Sequence, residues 1–562
     1  MRITNRNKAV PAVAGGLLVA GLLSGVAFDS ATASGQGERA PAAKHPDRPT
    51  RVVQIVLDQL RPEFIDAFDM ENVKQLMRNG ASYPNAYLGH MGSETVVSHN
   101  VMTSGMLPKH MGWSDEWYPD DDNLLTPEDD HFVTGSMGFA QFDTLINDKG
   151  YPKLADYLHT AFPGTIVAAI GEKNYATYSM GGPGADMRIT FGSRTADCDD
   201  VPNEPTDLTW RGPTGPGVPD YISQPVCGRF YVDADKALHY GTLDTTPAWM
   251  YPVEGNRDVP GSDPAHLGGD VWVTDAAFEV MDHEDWSGLM LTYGGIDKAG
   301  HMWGGLNDRP PYDGGDPSVH MAALAKVADE QVGRVVQRLK DDGLLDETLI
   351  VLTTDHGQQT SKHYFGQDGV GRGNFNWYYG EDADETYLTP QPLIRGFVDA
   401  LAGNVEMSMQ DSAIRTWLID DSWTAKKDAA LLMATLPGVR ATYVLKGHRY
   451  QLVWKAHRSR WTSSEWAWWR KHGQEIVNTA AADYGPDVIG LLRDNASYGV
   501  KGDHGGAQEK VQRIPIIFSG PGVQPGSRPN TPLRSVDIMP TVLRALGIPE
   551  THWTDGKAYR LP

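Results

Sequence analysis

The strongest constraint on this chain is a repeated pairing of short apolar runs with amphipathic helical patterns, in which several runs stop on aspartate or histidine. "RVVQIVLD" (51–58) is a β-branched run closed by Asp58, and "TLIVLTTDHG" closes on the adjacent pair Asp355 and His356. Runs of this length, bounded by turn residues, predict buried strands. Phe64, Phe68, Val73, Leu76 and Met77 have helical spacing over 62–80, a segment ending in Gly80. The alternation continues with strands predicted at 164–170, 287–293, 348–354 and 514–519 and helices at 270–282, 317–341 and 535–546. Apolar strands separated by amphipathic helices predict an α/β fold, a mostly parallel central sheet sandwiched between helices.

Two stretches break this rhythm. Residues 176–265 are rich in Gly, Pro, Asp and Thr and are expected to form a loop-rich insertion holding Cys198 and Cys227. Residues 376–498 combine helical patterns with "SRWTSSEWAWWRKHG" and are expected to form a cap-like insertion, leaving 51–375 and 499–562 as the catalytic core. The acidic run "DEWYPDDDNLLTPEDD" (115–130) is expected to be a solvated loop. At the N-terminus, Arg2, Arg6 and Lys8 precede an apolar stretch closed by Ala31, Thr32 and Ala33. This is the pattern of a secretory signal cut after Ala33, followed by a linker over 34–50. A retained anchor is the alternative, since the apolar run approaches the roughly 20 residues a spanning helix needs. The export reading implies a secreted protein with no stable membrane anchor, and makes one disulfide between the two cysteines the expected state.

Without that leader, 46 basic residues face 71 acidic ones, a net charge of −25. Such a surface repels nucleic-acid polymers, so no nucleic-acid partner is expected. A small anionic substrate stays compatible if cations line its pocket.

In open α/β sheets, ligands collect beyond the carboxyl ends of the strands, so chemistry is sought there. Asp58 closes the first strand, and "LTYGGIDKAGHMWGG" (291–305) carries Asp297 and His301 in a glycine-flanked turn after another. Asp355 and His356 close a third, and "YGVKGDHGG" places His504 just upstream of the apolar run "RIPIIFSG". Taken singly, each of these residues is an ordinary turn former or surface polar group. Together, three carboxylates and three imidazoles suit two zinc ions held about 4 Å apart. A site of this kind also needs a nucleophile. "GSETVVSHNVMTSG" offers Thr95 at the start of a short predicted helix ending near Gly105, where helix N–H groups would seat a phosphate. Helix capping is the alternative role for Thr95, and Ser93 is the competing hydroxyl.

The stretches "VLDQLRP", "TVVSHNVMTSGMLPKHMGW", "DKAGHMWG", "TTDHG", "GDHGG" and "SVDIMPTVLRALGIP" resemble the alkaline phosphatase superfamily, most closely its type I phosphodiesterase and nucleotide pyrophosphatase branch. The resemblance implies that Asp297, His301 and His504 hold one zinc, and that Asp58, Asp355, His356 and the Thr95 oxygen surround the other. Two departures stand out. Thr95 is followed by Val96, Val97, Ser98 and His99 rather than by Thr-x-Pro-Asn-His. Where the family carries a phosphoryl-binding Asn, the nearest residues here are Asp115 and Glu116, and a carboxylate repels a phosphate dianion. A related monoesterase pattern, Lys-x-Arg, finds Lys173 but meets Tyr175 in "GEKNYA".

The expected function is therefore a secreted two-zinc phosphodiesterase or nucleotide pyrophosphatase acting on a small phosphate ester through a phosphothreonine. An alkaline phosphomonoesterase using Lys173 to bind substrate is the second reading. A non-catalytic cell-wall or carbohydrate-binding protein, with Trp461, Trp466, Trp468 and Trp469 as a stacking platform, is the third.

Overall fold

A computed structural model describes residues 48–120, 123–125, 131–133, 138–190, 193–194, 210–212, 215–222, 226–228, 269–303, 317–360, 363–364, 392–499 and 502–562. Its centre is a seven-stranded sheet. From edge to edge the strands are Ala81–Ser82, Ile516–Ser519, Thr348–Thr353, Arg51–Leu57, Trp286–Tyr293, Ile166–Gly171 and Met187–Thr190. All neighbours pair in parallel except around Ile516–Ser519, which runs antiparallel to both strands beside it.

Alternation along Arg51–Leu57 sends successive side chains to opposite faces. Val53, Ile55 and Leu57 join a core with Trp272, Val273, Leu324 and Val332 from the helices Asp270–His283 and Pro317–Asp341. Val52 and Val56 face the other way, onto Leu154, Leu158, Ile538 and Val542 from the helices Leu154–Ala161 and Ile538–Leu546. Each fully buried aliphatic side chain of this kind contributes roughly 1.5–3 kcal/mol, so both faces of the strand must be apolar. That explains its unbroken β-branched run.

Several expectations need correction. The segment 62–80 forms two helices, Pro62–Ala67 and Glu71–Asn79, because Asp69 adopts a left-handed conformation (φ 51°) between them. The helix Asn174–Gly181 runs into the stretch read as loop-rich, and the edge strand Met187–Thr190 lies inside it. Residues 392–499 are less helical than expected, since they carry a five-stranded antiparallel sheet. Its order is Val405–Gln410, Ala413–Leu418, Val488–Leu492, Val439–Leu445 and Tyr450–Lys455. The acidic run is not simply solvated: Asp115 and Asp120 are buried, and Asp120 accepts the N–H groups of Leu124 and Leu125.

In the "SRWTSSEWAWWRKHG" stretch Trp461 and Trp468 are buried, while Trp466 and Trp469 are half-buried, with Lys455, Arg458 and Arg470 beside the Trp466 ring. The indole N–H of Trp461 reaches Ala456 O, that of Trp468 reaches Ala507 O, and that of Trp469 reaches the Tyr443 hydroxyl. Cys227 lies in the short strand Val226–Gly228, while Cys198, and with it the proposed disulfide, falls outside the described residues, as does the leader. No helix among the described residues is long and apolar enough to cross a membrane.

Candidate functional site

Register in the parallel sheet brings the site together. Leu57 pairs with Tyr293, Val56 with Thr353, and Thr292 with Gly171, so these four strands stop at one level. Asp58, the Asp297 segment, Asp355 with His356, and Lys173 therefore all leave the sheet at the same edge. Asp297 and His301 lie not in a turn but in the helix Gly295–Trp303, where i,i+4 spacing puts them on one face, 3.2 Å apart. His504 arrives by another route: Gly502–Asp503 pairs antiparallel with Gln359–Thr360, which continues the chain from His356. The His356 and His504 rings stack at 3.7 Å.

The ligand atoms of Asp297, His301 and His504 lie within 4.8 Å of one another, as do those of Asp58, Asp297 and His356. Asp297 thus belongs to both groups. Asp355 stands beside the second, its Oδ2 3.3 Å from His356 Nε2. The six are buried, and their chemistry fits divalent cations. The three Nδ1 atoms of His301, His356 and His504 each face a backbone carbonyl, of Gly502, Gly357 and Ser93, at 2.9, 3.2 and 3.2 Å. A proton held on Nδ1 leaves the Nε2 lone pair for a metal. Asp58 Oδ1 and Asp355 Oδ2 are buried with no hydrogen-bond partner, an arrangement costly for carboxylates unless a cation satisfies them. Burial, with Asp297 and Asp355 close by, pushes the Asp58 carboxyl well above its usual range. Three carboxyl groups so close call for positive charge.

Lys173 supplies part of it. Its ammonium donates to Asp58 Oδ2 at 2.7 Å and to Asp297 Oδ2 at 2.5 Å. Although burial opposes ionisation, the carboxylates of Asp297 and Asp58 hold its pKa well above the ordinary value.

Thr95 opens the helix Thr95–Ser104, which ends at Gly105 in the left-handed conformation. Its Oγ1 lies 3.4 Å from His356 Nε2. The cap position is Glu94, with no side-chain cap bond, so the hydroxyl of Thr95 is not holding the helix start. Ser93 is engaged elsewhere, its hydroxyl donating to Gly506 O. His99, one turn on, contacts Thr95 O at 2.7 Å through Nδ1 and Thr292 Oγ1 at 2.9 Å through Nε2, tying the helix to the sheet. Burial pushes its pKa down to about 4, so it serves as a neutral strut.

Behind this edge lies a group the sequence did not announce. Arg415, fully buried on the strand Ala413–Leu418, pairs with Glu94, with Asp115 and with both oxygens of Asp411, and donates to Gly505 O at 2.8 Å. Glu94 Oε2 in turn accepts the Glu116 N–H at 2.8 Å, and Glu116 Oε1 accepts the Val96 N–H at 3.3 Å. Burial pushes the Glu116 carboxyl up to about 7, against the pull of Lys173. Gln59, held at φ 66°, is a second residue not anticipated: its amide donates to Asp297 Oδ1 at 2.9 Å and its backbone N–H to Asp355 Oδ1 at 3.1 Å. Only its place immediately after Asp58 could have drawn notice.

Residues 52–395 match the family model for type I phosphodiesterase / nucleotide pyrophosphatase. Among curated proteins, the chain is 24% identical to alkaline phosphatase PhoD of Zymomonas mobilis subsp. mobilis, over 89% of this chain and 85% of that one. It is 23% identical to alkaline phosphatase PhoK of a Sphingomonas species, covering 89% of each. Among solved structures, wild-type alkaline phosphatase PafA superposes with a TM-score of 0.57 at 15% identity, over 89% of this chain and 96% of that one, a likeness of fold. A family match spanning more than half the sequence, on a mostly parallel sheet whose strand ends gather the matched motifs, places this chain in the type I phosphodiesterase/nucleotide pyrophosphatase family.

Proposed function

We propose that the protein is a secreted two-zinc phosphoric ester hydrolase, a phosphodiesterase or nucleotide pyrophosphatase that works through a phosphothreonine on Thr95. One observation carries this reading: a hydroxyl at the start of a buried helix stands 3.4 Å from His356 Nε2, beside two groups of potential metal ligands. Asp297, His301 and His504 would hold one ion, and Asp58, Asp355 and His356, with the Thr95 oxygen, the other. Bound there, such ions lower the pKa of a coordinated hydroxyl and stabilise negative charge on a departing oxygen.

The rest is done by the chain. Thr95 Oγ, having lost its proton to solvent, attacks phosphorus in line, the bond to the leaving oxygen breaks, that oxygen takes up a proton from solvent, and the phosphoryl group is transferred to the side chain. The positive end of the Thr95–Ser104 helix dipole would favour the negative charge of the phosphoryl oxygens. Water then attacks the phosphothreonine from the side opposite Thr95 and releases the product. Two inversions give net retention at phosphorus. Acid quenching during turnover should leave phosphate on the peptide containing Thr95, detectable by mass spectrometry. Its absence, with product formed at full rate, would exclude the covalent route.

Gln59 gives a second prediction. It orients Asp297, which belongs to both ligand groups. Gln59→Leu is expected to weaken zinc binding by about 10- to 100-fold, the usual cost of removing an outer-shell partner. Competition with a chromophoric chelator measures it, and unchanged affinity would deny Gln59 that role.

A monoesterase on the same site is the second reading, favoured by Lys173, whose ammonium lines the pocket beside Thr95. Comparing a diester with its matching monoester separates the two, and Lys173→Ala should harm a monoesterase selectively. Export by the leader predicts a mature protein beginning at Ser34, which N-terminal sequencing checks.

A further inference from the structure

The pocket beside Thr95 contains a carboxylate where a phosphate site would be expected to offer a donor. Glu94, Thr95, Glu116, Lys173, Tyr175 and Asp503 lie along its wall. Glu116 Oε1 accepts the Val96 N–H at 3.3 Å, so a carboxylate already occupies a first-turn donor that an anionic oxygen at Thr95 would otherwise use. Its backbone is pinned as well, through its own N–H to Glu94 Oε2 at 2.8 Å, and Glu94 is clamped by Arg415. The side chain is therefore built into the site.

One side-chain cation lines this wall. Among the described residues lining the pocket, Lys173 is the one lysine or arginine, and its ammonium is shared between Asp58 and Asp297. Arg415 stands behind the wall among Glu94, Asp115 and Asp411. Tyr175 contributes a phenol, which carries no positive charge at neutral pH.

We propose that Glu116 sets the charge of the phosphoryl group that this site accepts, favouring groups with a single negative charge, as in diesters, over dianionic monoesters. The inference rests on the phosphoric ester reading of the site. At pH 9, above the value near 7 to which burial raises Glu116, a second negative charge on the phosphoryl group would face its carboxylate and lose part of the attraction that the bound cations supply. In a diester, that oxygen is esterified and neutral.

The test, run at pH 9 so that Glu116 is ionised, uses the full chain loaded with zinc, with 4-nitrophenyl phosphate and bis(4-nitrophenyl) phosphate as substrates and inorganic phosphate as inhibitor. Glu116→Gln keeps the shape and removes the charge. It should raise the ratio of monoester to diester kcat/KM by about tenfold or more and tighten phosphate inhibition by a similar factor. Glu116→Asp, which keeps the charge, should leave the ratio near that of the unsubstituted protein. A folded Glu116→Gln protein with unmoved ratio and phosphate affinity would overturn the proposal. Should that variant not fold, Glu116→Ala takes its place with the same readouts, a raised ratio supporting the proposal and an unmoved one overturning it, and monoester preference in the unsubstituted protein overturns it outright. Turnover of neither ester would instead overturn the phosphoric ester reading, and this inference with it.

Discussion

Thr95→Ala is expected to lower kcat by on the order of 10⁴-fold or more, the scale seen when a nucleophile acting as part of a unit is removed. The structure explains why the loss should be chemical rather than structural. Glu94, not Thr95, holds the cap position, and His99 anchors the helix through the backbone oxygen of residue 95, which alanine retains. Stability should change by about 1 kcal/mol or less, as for substitutions that remove no cap and leave no charge unpaired. Elemental analysis should still find zinc, because the other six ligand candidates are untouched. Thr95→Ser, which keeps a hydroxyl, should retain measurable turnover. Full activity in the alanine variant would refute the assignment.

The largest effect on stability is expected at Arg415. Replacing it with methionine fills similar space but leaves Glu94, Asp115 and Asp411 buried together without their guanidinium. Breaking a buried ion cluster from one side costs about 3–5 kcal/mol, which denaturant unfolding would detect. The pH dependence follows from Asp411. Burial pushes its carboxyl up to about 8 in the folded protein, from an ordinary value of 3.8, even with Arg415 in place. The folded state therefore binds a proton that the unfolded chain releases between those values, and this group's support for folding declines as pH rises through that window. Without Arg415 the folded pKa moves higher still. The deficit of Arg415→Met should accordingly be smaller near pH 5 than near pH 8, and an equal deficit at both would argue against an electrostatic origin.

The sheet and much of its edge chemistry were legible in sequence because strands buried on both faces must be continuously apolar, and such runs end abruptly where polar residues begin. Asp58, Asp355 and His356 stand at those ends. The direction of Ile516–Ser519 was not legible, since an apolar run of four looks alike whichever way it runs. The strand Met187–Thr190 hid among glycines and prolines, and the sheet within 392–499 was masked by helical spacing in the same stretch. Arg415 left no trace at all. It is one basic residue in "SAIRTWL", and its partner Glu94 lies 321 positions away. The helical state of Gly295–Trp303 could have been inferred, because the four-residue step from Asp297 to His301 is a helical repeat.

One contact has a bearing on how such a protein comes into being. The carbonyl of Ser93, next to the Thr95 helix, receives both the Gly505 N–H at 3.0 Å and His504 Nδ1 at 3.2 Å, across 411 positions of chain in the latter case. A polypeptide emerging from the ribosome would carry an unfinished centre until nearly all of it had been made. Hydrolytic competence would then arise only late in assembly, and a chain cut short before His504 would lack both that imidazole and the brace on the loop that precedes Thr95.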